Sequence, residues 1–89
     1  MTVRIFVSGF VQNVGFRRFV KSKAGKLNLV GWVKNIPEGK VEIFAQGDKE
    51  NVDQIIKFCK QGPFLSEVKE VTIKEEKESK DFSDFKILQ

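Results

Sequence analysis

The chain has 89 residues, of which 40% are hydrophobic and 31% charged, and its net charge is +4. This length suits one globular core, so we expect residues 1–89 to form a single domain. With no histidine and one cysteine, Cys59, the chain excludes an internal disulfide, a Cys/His zinc site and any histidine-dependent catalytic triad. No apolar run approaches the ~20 residues of a membrane span, and the N-terminal sequence is unlike a signal peptide, so we expect a cytoplasmic protein without a membrane partner.

The positive charge is concentrated in the N-terminal part of the chain. Residues 1–40 carry eight cations and one acid, a sum of +7, whereas residues 41–89 carry eight cations and eleven acids, a sum of −3. A positive half suits an anionic partner, either a small phosphorylated molecule or a nucleic acid. A solvated helix face explains the same pattern, and the charges alone favour that simpler explanation.

Seven secondary-structure elements are predicted from the spacing of apolar residues. In chain order they are a strand at 3–8, a helix at 16–27, strands at 30–34 and 41–46, a helix between Asp48 and Gly62, a strand at 68–73 and a last strand at 82–88. The connecting segments are a glycine-containing loop at 9–15, a turn at 35–39 and a charged, solvated connection at 74–81.

Local signals support several of these boundaries. Asn28 suits the left-handed position that ends a helix, and Asp48 is expected to cap the second helix with its side chain. Gly62 and Pro63 then end that helix. In the following strand the alternation slips by one residue between Val68 and Val71.

This element order predicts an α+β fold. Two helices packed on one face of an antiparallel sheet give the ferredoxin-like βαββαβ sandwich, here with an extra C-terminal strand. Many unrelated functions use this arrangement, so the fold alone does not establish an activity.

The loop between the first strand and the first helix carries the most chemical information. Backbone N–H groups at a helix N-terminus are unpaired and attract anions. Gly15 leaves space beside the backbone, and Arg17 in the first turn can offer a planar fork to two phosphate oxygens. The alternative is a tight turn with Arg17 merely exposed. An arginine is disfavoured by the helix dipole at this end, which suggests an anion that compensates.

Two motifs in this chain resemble those of the acylphosphatase family. The family loop Gly-x-Val-Gln-Gly-Val-x-Phe-Arg is similar to residues 9–17, which read GFVQNVGFR. Its second motif, Gly-x-Val-x-Asn, is matched by residues 31–35, which read GWVKN. The Pro-x-Gly turn after the second motif, the Gly62-Pro63 break and the Phe82–Phe85 segment also resemble the family, so the similarity covers essentially the whole chain.

One position departs from the family pattern, because Asn13 stands where the family has glycine. If the backbone there needs a positive φ, asparagine is the best-tolerated non-glycine residue. Its side chain could crowd the phosphate site or add a hydrogen-bond donor to it.

The resemblance implies a hydrolase that cleaves the carboxyl-phosphate bond of a small acyl phosphate, with no metal or other cofactor. It implies that Arg17 and Asn35 are the catalytic residues, with Asn35 orienting the attacking water. The phosphate, like an inorganic phosphate ion, is expected to bind Arg17 and the backbone N–H groups of a six-residue segment: Gln12, Asn13, Val14, Gly15, Phe16 and Arg17. We expect a monomer.

Other interpretations remain open at this point. Asn35 alone could be a turn former before Ile36 and Pro37. A nucleic-acid-binding module shares the βαββαβ order and a basic charge, but residues 41–45 lack the basic-Gly-aromatic run of RNA-recognition domains. A regulatory or maturation domain that keeps the phosphate loop with weak turnover is the third possibility. Because residues 41–45 lack the run typical of RNA-recognition domains, we expect no nucleic-acid partner.

Overall fold

The computed structural model describes residues 1–77 and 79–88. The predicted order of elements is confirmed. The elements are β1 (Thr2–Phe10), α1 (Phe16–Lys26), β2 (Val30–Ile36), β3 (Lys40–Gln46), α2 (Lys49–Gln61), β4 (Glu67–Glu76) and β5 (Phe85–Ile87). In these residues no helix is long and apolar enough to cross a membrane.

The strands form one five-stranded sheet in the order β4-β1-β3-β2-β5. The pairs β1–β3, β1–β4 and β2–β3 are antiparallel, as the ferredoxin-like prediction requires. The added strand β5 pairs with β2 in parallel, so the sheet is mixed. This direction follows from the connection after β4, which carries the chain from one edge of the sheet to the other and reverses it.

The hydrophobic core lies between the sheet and the two helices. One face of each central strand and one stripe of each helix meet there, which buries apolar surface and favours folding. The fully buried side chains include Val3, Ile5 and Val7 of β1, Phe16, Val20 and Ala24 of α1, and Val52, Ile55 and Cys59 of α2. Burial raises the pKa of the Cys59 thiol to about 12, as expected for an inert core cysteine.

The other face of the sheet is covered by side chains rather than by helices. Trp32 stacks on Phe44 with ring centroids 5.8 Å apart, and Phe82 packs on the same Phe44 ring at 5.6 Å. The Arg4 guanidinium lies 5.1 Å from the Phe44 centroid and bonds the Glu42 carboxylate at 2.6 Å. Phe44 is consequently only 1% exposed, although it lies on the face that no helix covers.

The segment between β4 and β5 differs from the prediction. β4 continues through Glu76, so the first residues of the predicted solvated connection are an edge strand that tolerates charges. The connection is tied to β3 by Gln46, whose side chain exchanges two hydrogen bonds with the Lys80 backbone at 2.9 and 3.0 Å. Phe82 is drawn onto Phe44, which explains why β5 pairs over three residues and not over 82–88.

The hairpin between β2 and β3 is tighter than the sequence indicated. β2 runs through Ile36, which pairs with Lys40, so Asn35 is a strand residue and its interpretation as a turn former is wrong. The turn itself is confined to residues 37–39, where Glu38 and Gly39 have φ values of 71° and 76°.

Three predicted boundary features have mixed outcomes. Asn28 has a φ of 55° just after α1, which confirms its role in ending that helix. The slip in β4 is confirmed as a register shift opposite Ser8 and Gly9. Asp48 does occupy the N-cap position of α2, but its side chain makes no capping hydrogen bond, so that detail was wrong. Glu50 in the first turn supplies the negative charge that favours this helix end.

Candidate functional site

A cavity of about 420 Å³ lies where the loop after β1, the start of α1 and the end of β2 meet. Five of the residues predicted for the site share its wall: Asn13, Gly15, Phe16, Arg17 and Asn35. The remaining lining residues are Val11, Arg18 and Ile87. The fold therefore brings the two sequence motifs together in one concave surface.

The loop enters α1 through two left-handed residues. Asn13 has a φ of 64°, so the position where the family has glycine does require a positive φ. Gly15 is the N-cap of α1, with φ 81° and ψ 18°. A Cβ at Gly15 would meet no atom within 4 Å, so the backbone conformation explains the glycine better than crowding by protein atoms does.

The N-terminus of α1 presents free backbone donors to this cavity. Gly15 has no side chain with which to cap the helix, and the first helical bond runs from the Phe19 N–H to the Gly15 carbonyl at 3.0 Å. The N–H groups of Phe16, Arg17 and Arg18 precede that bond, so they have no acceptor within the helix. With no acidic residue in the first turn, this end of the helix suits an anion.

Arg17 is half-buried in the wall of the cavity. Over residues 1–77 and 79–88, no carboxylate lies within ion-pair distance of its guanidinium. Arg18, the next residue of the first turn, also borders the cavity. Its place in the first turn puts its backbone N–H among the free donors, so the predicted 12–17 segment extends by one residue.

Asn35 contributes an unsatisfied hydrogen-bond acceptor. Its side-chain oxygen is buried and has no hydrogen-bond partner among the described residues. A buried polar atom without a partner costs about 1–3 kcal/mol, so such an atom in a cavity wall suggests a ligand or water that donates to it. The position is fixed by β2, where Asn35 pairs with Val41 of β3.

Gln12 and Val14 do not line this cavity. The Gln12 side-chain nitrogen donates to the backbone carbonyls of Ile36 at 2.9 Å and Lys40 at 2.8 Å. Val14 is partly buried against the hydrophobic core. Binding of phosphate by the backbone N–H groups of these two residues stays a prediction.

Sequence reasoning missed one lining residue that comes from far along the chain. Ile87 of β5 reaches the cavity because β5 pairs in parallel with β2, and no motif marks it. Ile87 and Asn35 also line a neighbouring depression of about 640 Å³. Among residues 1–77 and 79–88, no three His, Cys, Asp or Glu side chains lie together as a metal site would require.

Comparisons with known proteins agree on one family. The sequence model described as Acylphosphatase matches residues 3–87. An acylphosphatase from Methylococcus capsulatus is 40% identical over 86 residues, which cover 97% of this chain and 94% of that protein. The crystal structure of acylphosphatase from Bacillus subtilis superposes with a TM-score of 0.95 at 38% identity, covering 99% of this chain and 98% of that one. Full-length HypF, in its phosphate- and nucleotide-bound form, contains a region with a TM-score of 0.91 and 37% identity, which covers 99% of this chain and 12% of HypF.

Proposed function

The chain belongs to the acylphosphatase family, a group of hydrolases that act on acid anhydrides, and from this premise we propose that it hydrolyses the carboxyl-phosphate bond of acyl phosphates. The products are a carboxylate and inorganic phosphate. We further propose that Arg17 and Asn35 carry out this reaction with the backbone N–H groups of the loop.

In this mechanism the phosphoryl group lies at the N-terminus of α1. The Arg17 guanidinium donates two parallel hydrogen bonds to phosphate oxygens, and the N–H groups of residues 12–17, with that of Arg18, bind the others. Negative charge on these oxygens is stabilised in the transition state of phosphoryl transfer, where positioning and electrostatics supply most of the catalysis.

Asn35 orients the attacking water. Its amide cannot act as a base at neutral pH, but its unpartnered oxygen can accept a hydrogen bond from water and direct a lone pair at phosphorus. The water oxygen forms the new P–O bond while the bond to the acyl oxygen breaks and its electron pair leaves with the carboxylate. A water proton passes to a phosphate oxygen of the substrate.

This chemistry needs neither histidine nor a general acid of the enzyme. Carboxylates are stable leaving groups, since the pKa values of simple carboxylic acids are about 4. The sequence contains no histidine, and neither motif contains a carboxylate. A reaction driven by substrate placement is therefore consistent with the residues available.

The observation that carries the proposal is the shared cavity. An arginine with no described carboxylate partner, free helix-start donors and a buried, unpartnered amide oxygen meet in a space of about 420 Å³. These are the three groups that an anionic substrate and an attacking water require.

Hydrolysis of benzoyl phosphate, followed by ultraviolet absorbance, tests the proposal together with Asn35→Ala. We expect turnover by the unaltered chain, and we expect Asn35→Ala to lower kcat at least tenfold because the water loses its orientation. The inhibition constant of inorganic phosphate should stay within about twofold, because Asn35 is not assigned to phosphate. An equal loss of phosphate affinity would make Asn35 a binding residue instead.

Two alternatives are weighed against this function. The similarity to a region of HypF keeps a phosphate-binding domain with weak turnover as the second candidate, and the same assay separates the two. A nucleic-acid platform is disfavoured because Phe44, the aromatic residue of the third strand, is covered by Trp32, Arg4 and Phe82 and cannot stack on a base.

We also propose that residues 1–89 act as one cytoplasmic, monomeric domain. The single cysteine is buried as a free thiol, which suits a reducing compartment. Light scattering after size-exclusion chromatography tests the monomer, for which we expect a mass near 10.2 kDa.

A further inference from the structure

Gln12 connects the two halves of the proposed site. It is the first residue of the segment 12–17 proposed to bind phosphate, here called the phosphate loop, and it immediately precedes the left-handed residue Asn13. Its side-chain NH₂ group uses both hydrogens, one on the Ile36 carbonyl at 2.9 Å and one on the Lys40 carbonyl at 2.8 Å. Ile36 and Lys40 are the last pair of the β2–β3 hairpin, so one side chain joins the loop to both strands.

The point of attachment is adjacent to the residue proposed to orient water. Ile36 follows Asn35 directly in β2, so the Gln12 contact fixes the backbone one residue beyond Asn35. On the other side, Gln12 precedes the loop residues and the first turn of α1, which hold the phosphate. The distance between phosphorus and the attacking water therefore depends on how firmly the loop is held to the hairpin.

We propose that Gln12 is a positioning residue that sets the phosphate loop at the correct distance from Asn35. The inference rests on the function proposed above and assigns Gln12 no contact of its side chain with phosphate or with water. Geometry of this kind matters because a displacement of about 1 Å between reacting groups can lower a rate about 100-fold.

The chain offers a matched control for this contact. Gln46 also uses its side-chain amide to hold a distant backbone segment, with hydrogen bonds of 2.9 and 3.0 Å to Lys80. It lies on the sheet face away from the helices, whereas the cavity is formed at the start of α1. The Gln46 oxygen also accepts from the Thr2 hydroxyl at 3.3 Å, so removing this amide costs at least as many hydrogen bonds as removing that of Gln12. Only Gln12, however, contacts the elements that form the site.

The test replaces each glutamine by methionine, which has a similar length and no N–H donor. We expect Gln12→Met to lower kcat for benzoyl phosphate about 10- to 100-fold, with the inhibition constant of inorganic phosphate within twofold of the unaltered enzyme. Gln46→Met should leave kcat within twofold. A loss of phosphate affinity in Gln12→Met, or an unchanged kcat, would overturn the proposal.

A double-mutant cycle separates positioning from a general structural effect. If Gln12 acts through Asn35, adding Gln12→Met to Asn35→Ala should cause less than a twofold further loss, because no oriented water remains to be misplaced. Additive losses would contradict the mechanism. If Asn35→Ala alone retains full turnover, the role of Asn35 fails, and if the unaltered chain shows no turnover, the proposed function itself fails, so these outcomes are distinguishable from a failure of the Gln12 proposal.

A second variant, Gln12→Glu, tests the proposal if Gln12→Met folds poorly. Gln12→Glu keeps the shape of the side chain but places a carboxylate against two carbonyl oxygens at neutral pH. Once protonated, it can donate one hydrogen bond, so its kcat relative to the unaltered enzyme should rise as the pH falls toward about 4. A ratio that stays constant with pH would argue against the hydrogen bond as the cause.

Discussion

Arg17→Gln is the sharpest single perturbation of the proposed site. The guanidinium is half-buried in the cavity wall and has no carboxylate partner among the described residues, so its N–H donors are available to the substrate. A hydrogen bond to a charged group contributes about 1.5–3 kcal/mol, and a forked arginine makes two. Their loss predicts a fall in kcat/KM of about 10²- to 10⁴-fold.

The geometry of the arginine can be tested separately from its charge. Arg17→Lys keeps the positive charge but removes the planar fork, so we expect an intermediate loss of about 10- to 100-fold. Lys21→Gln, which removes an exposed charge further along α1, should leave kcat/KM within twofold. Arg18→Gln should cost far less than Arg17→Gln, because only the backbone N–H of Arg18 is assigned to the phosphate and the substitution leaves that group in place.

The assay for this series combines benzoyl phosphate hydrolysis with inhibition by inorganic phosphate. Arg17→Gln should weaken both, because the same guanidinium holds substrate and product. Circular dichroism checks that the fold persists, as expected for a residue outside the core. A folded Arg17→Gln variant that keeps more than a tenth of the normal kcat/KM would refute the proposed role of Arg17.

Three further predictions concern other features of the chain. Asn13→Gly should keep or raise turnover, because it relieves the backbone strain of an asparagine with a positive φ. The free energy of unfolding should fall by up to ~1 kcal/mol, because glycine gives the unfolded chain more conformational entropy. Weaker phosphate binding in both Asn13→Gly and Asn13→Ala would instead make Asn13 a phosphate ligand. Activity should survive exhaustive chelation, and its loss with recovery on adding zinc or magnesium would contradict a metal-free mechanism. Burial raises the pKa of the Cys59 thiol to about 12 in the folded chain, whereas the unfolded chain ionises near the ordinary thiol pKa of about 8.5. This thiol should therefore leave the free energy of unfolding unchanged below pH ~8.5 and lower it by up to ~1.4 kcal/mol per pH unit above that. Urea unfolding at pH 7.5 and 10 should show this extra loss in the unaltered chain and not in Cys59→Ala.

Much of the fold could be predicted because local chemistry and tertiary structure agree. The alternation of Val3, Ile5 and Val7 matches a strand buried on one face, and these three residues are fully buried. The one-residue slip in the apolar alternation between Val68 and Val71 coincides with the register shift between β1 and β4. Gly31 of the second motif also has a physical reason, because its φ is 138° and a Cβ there would collide with the Phe44 carbonyl oxygen.

The errors arose where tertiary contacts override local pattern. The alternation at residues 82–88 suggested a long strand, but Phe82 packs on Phe44 of β3 and leaves only Phe85–Ile87 to pair with β2. Charged residues at the end of β4 indicated a loop, although an edge strand keeps them solvated. Asparagine before Ile36 and Pro37 resembled a turn because propensity does not record that β3 pairs as far as Lys40.

The candidate site could be predicted only in part. Arg17 and Asn35 follow from the family motifs, and the cavity that they share is consistent with that assignment. The side-chain direction of Gln12 and the approach of Ile87 depend on the closed sheet, so no spacing in the sequence indicates them.

The stacked cluster on the open face of the sheet gives the protein an internal optical reporter. Trp32 is the only tryptophan in the chain, and its ring contacts the Phe44 ring and the cations of Arg4 and Lys34, which are 5.7 and 5.0 Å from its centroid. Unfolding separates these neighbours, so tryptophan emission follows the assembly of the sheet without any added label. Because side chains alternate along β2, the Trp32 indole and the Asn35 side chain lie on opposite faces of the sheet. Phosphate binding in the cavity should therefore leave the tryptophan emission unchanged.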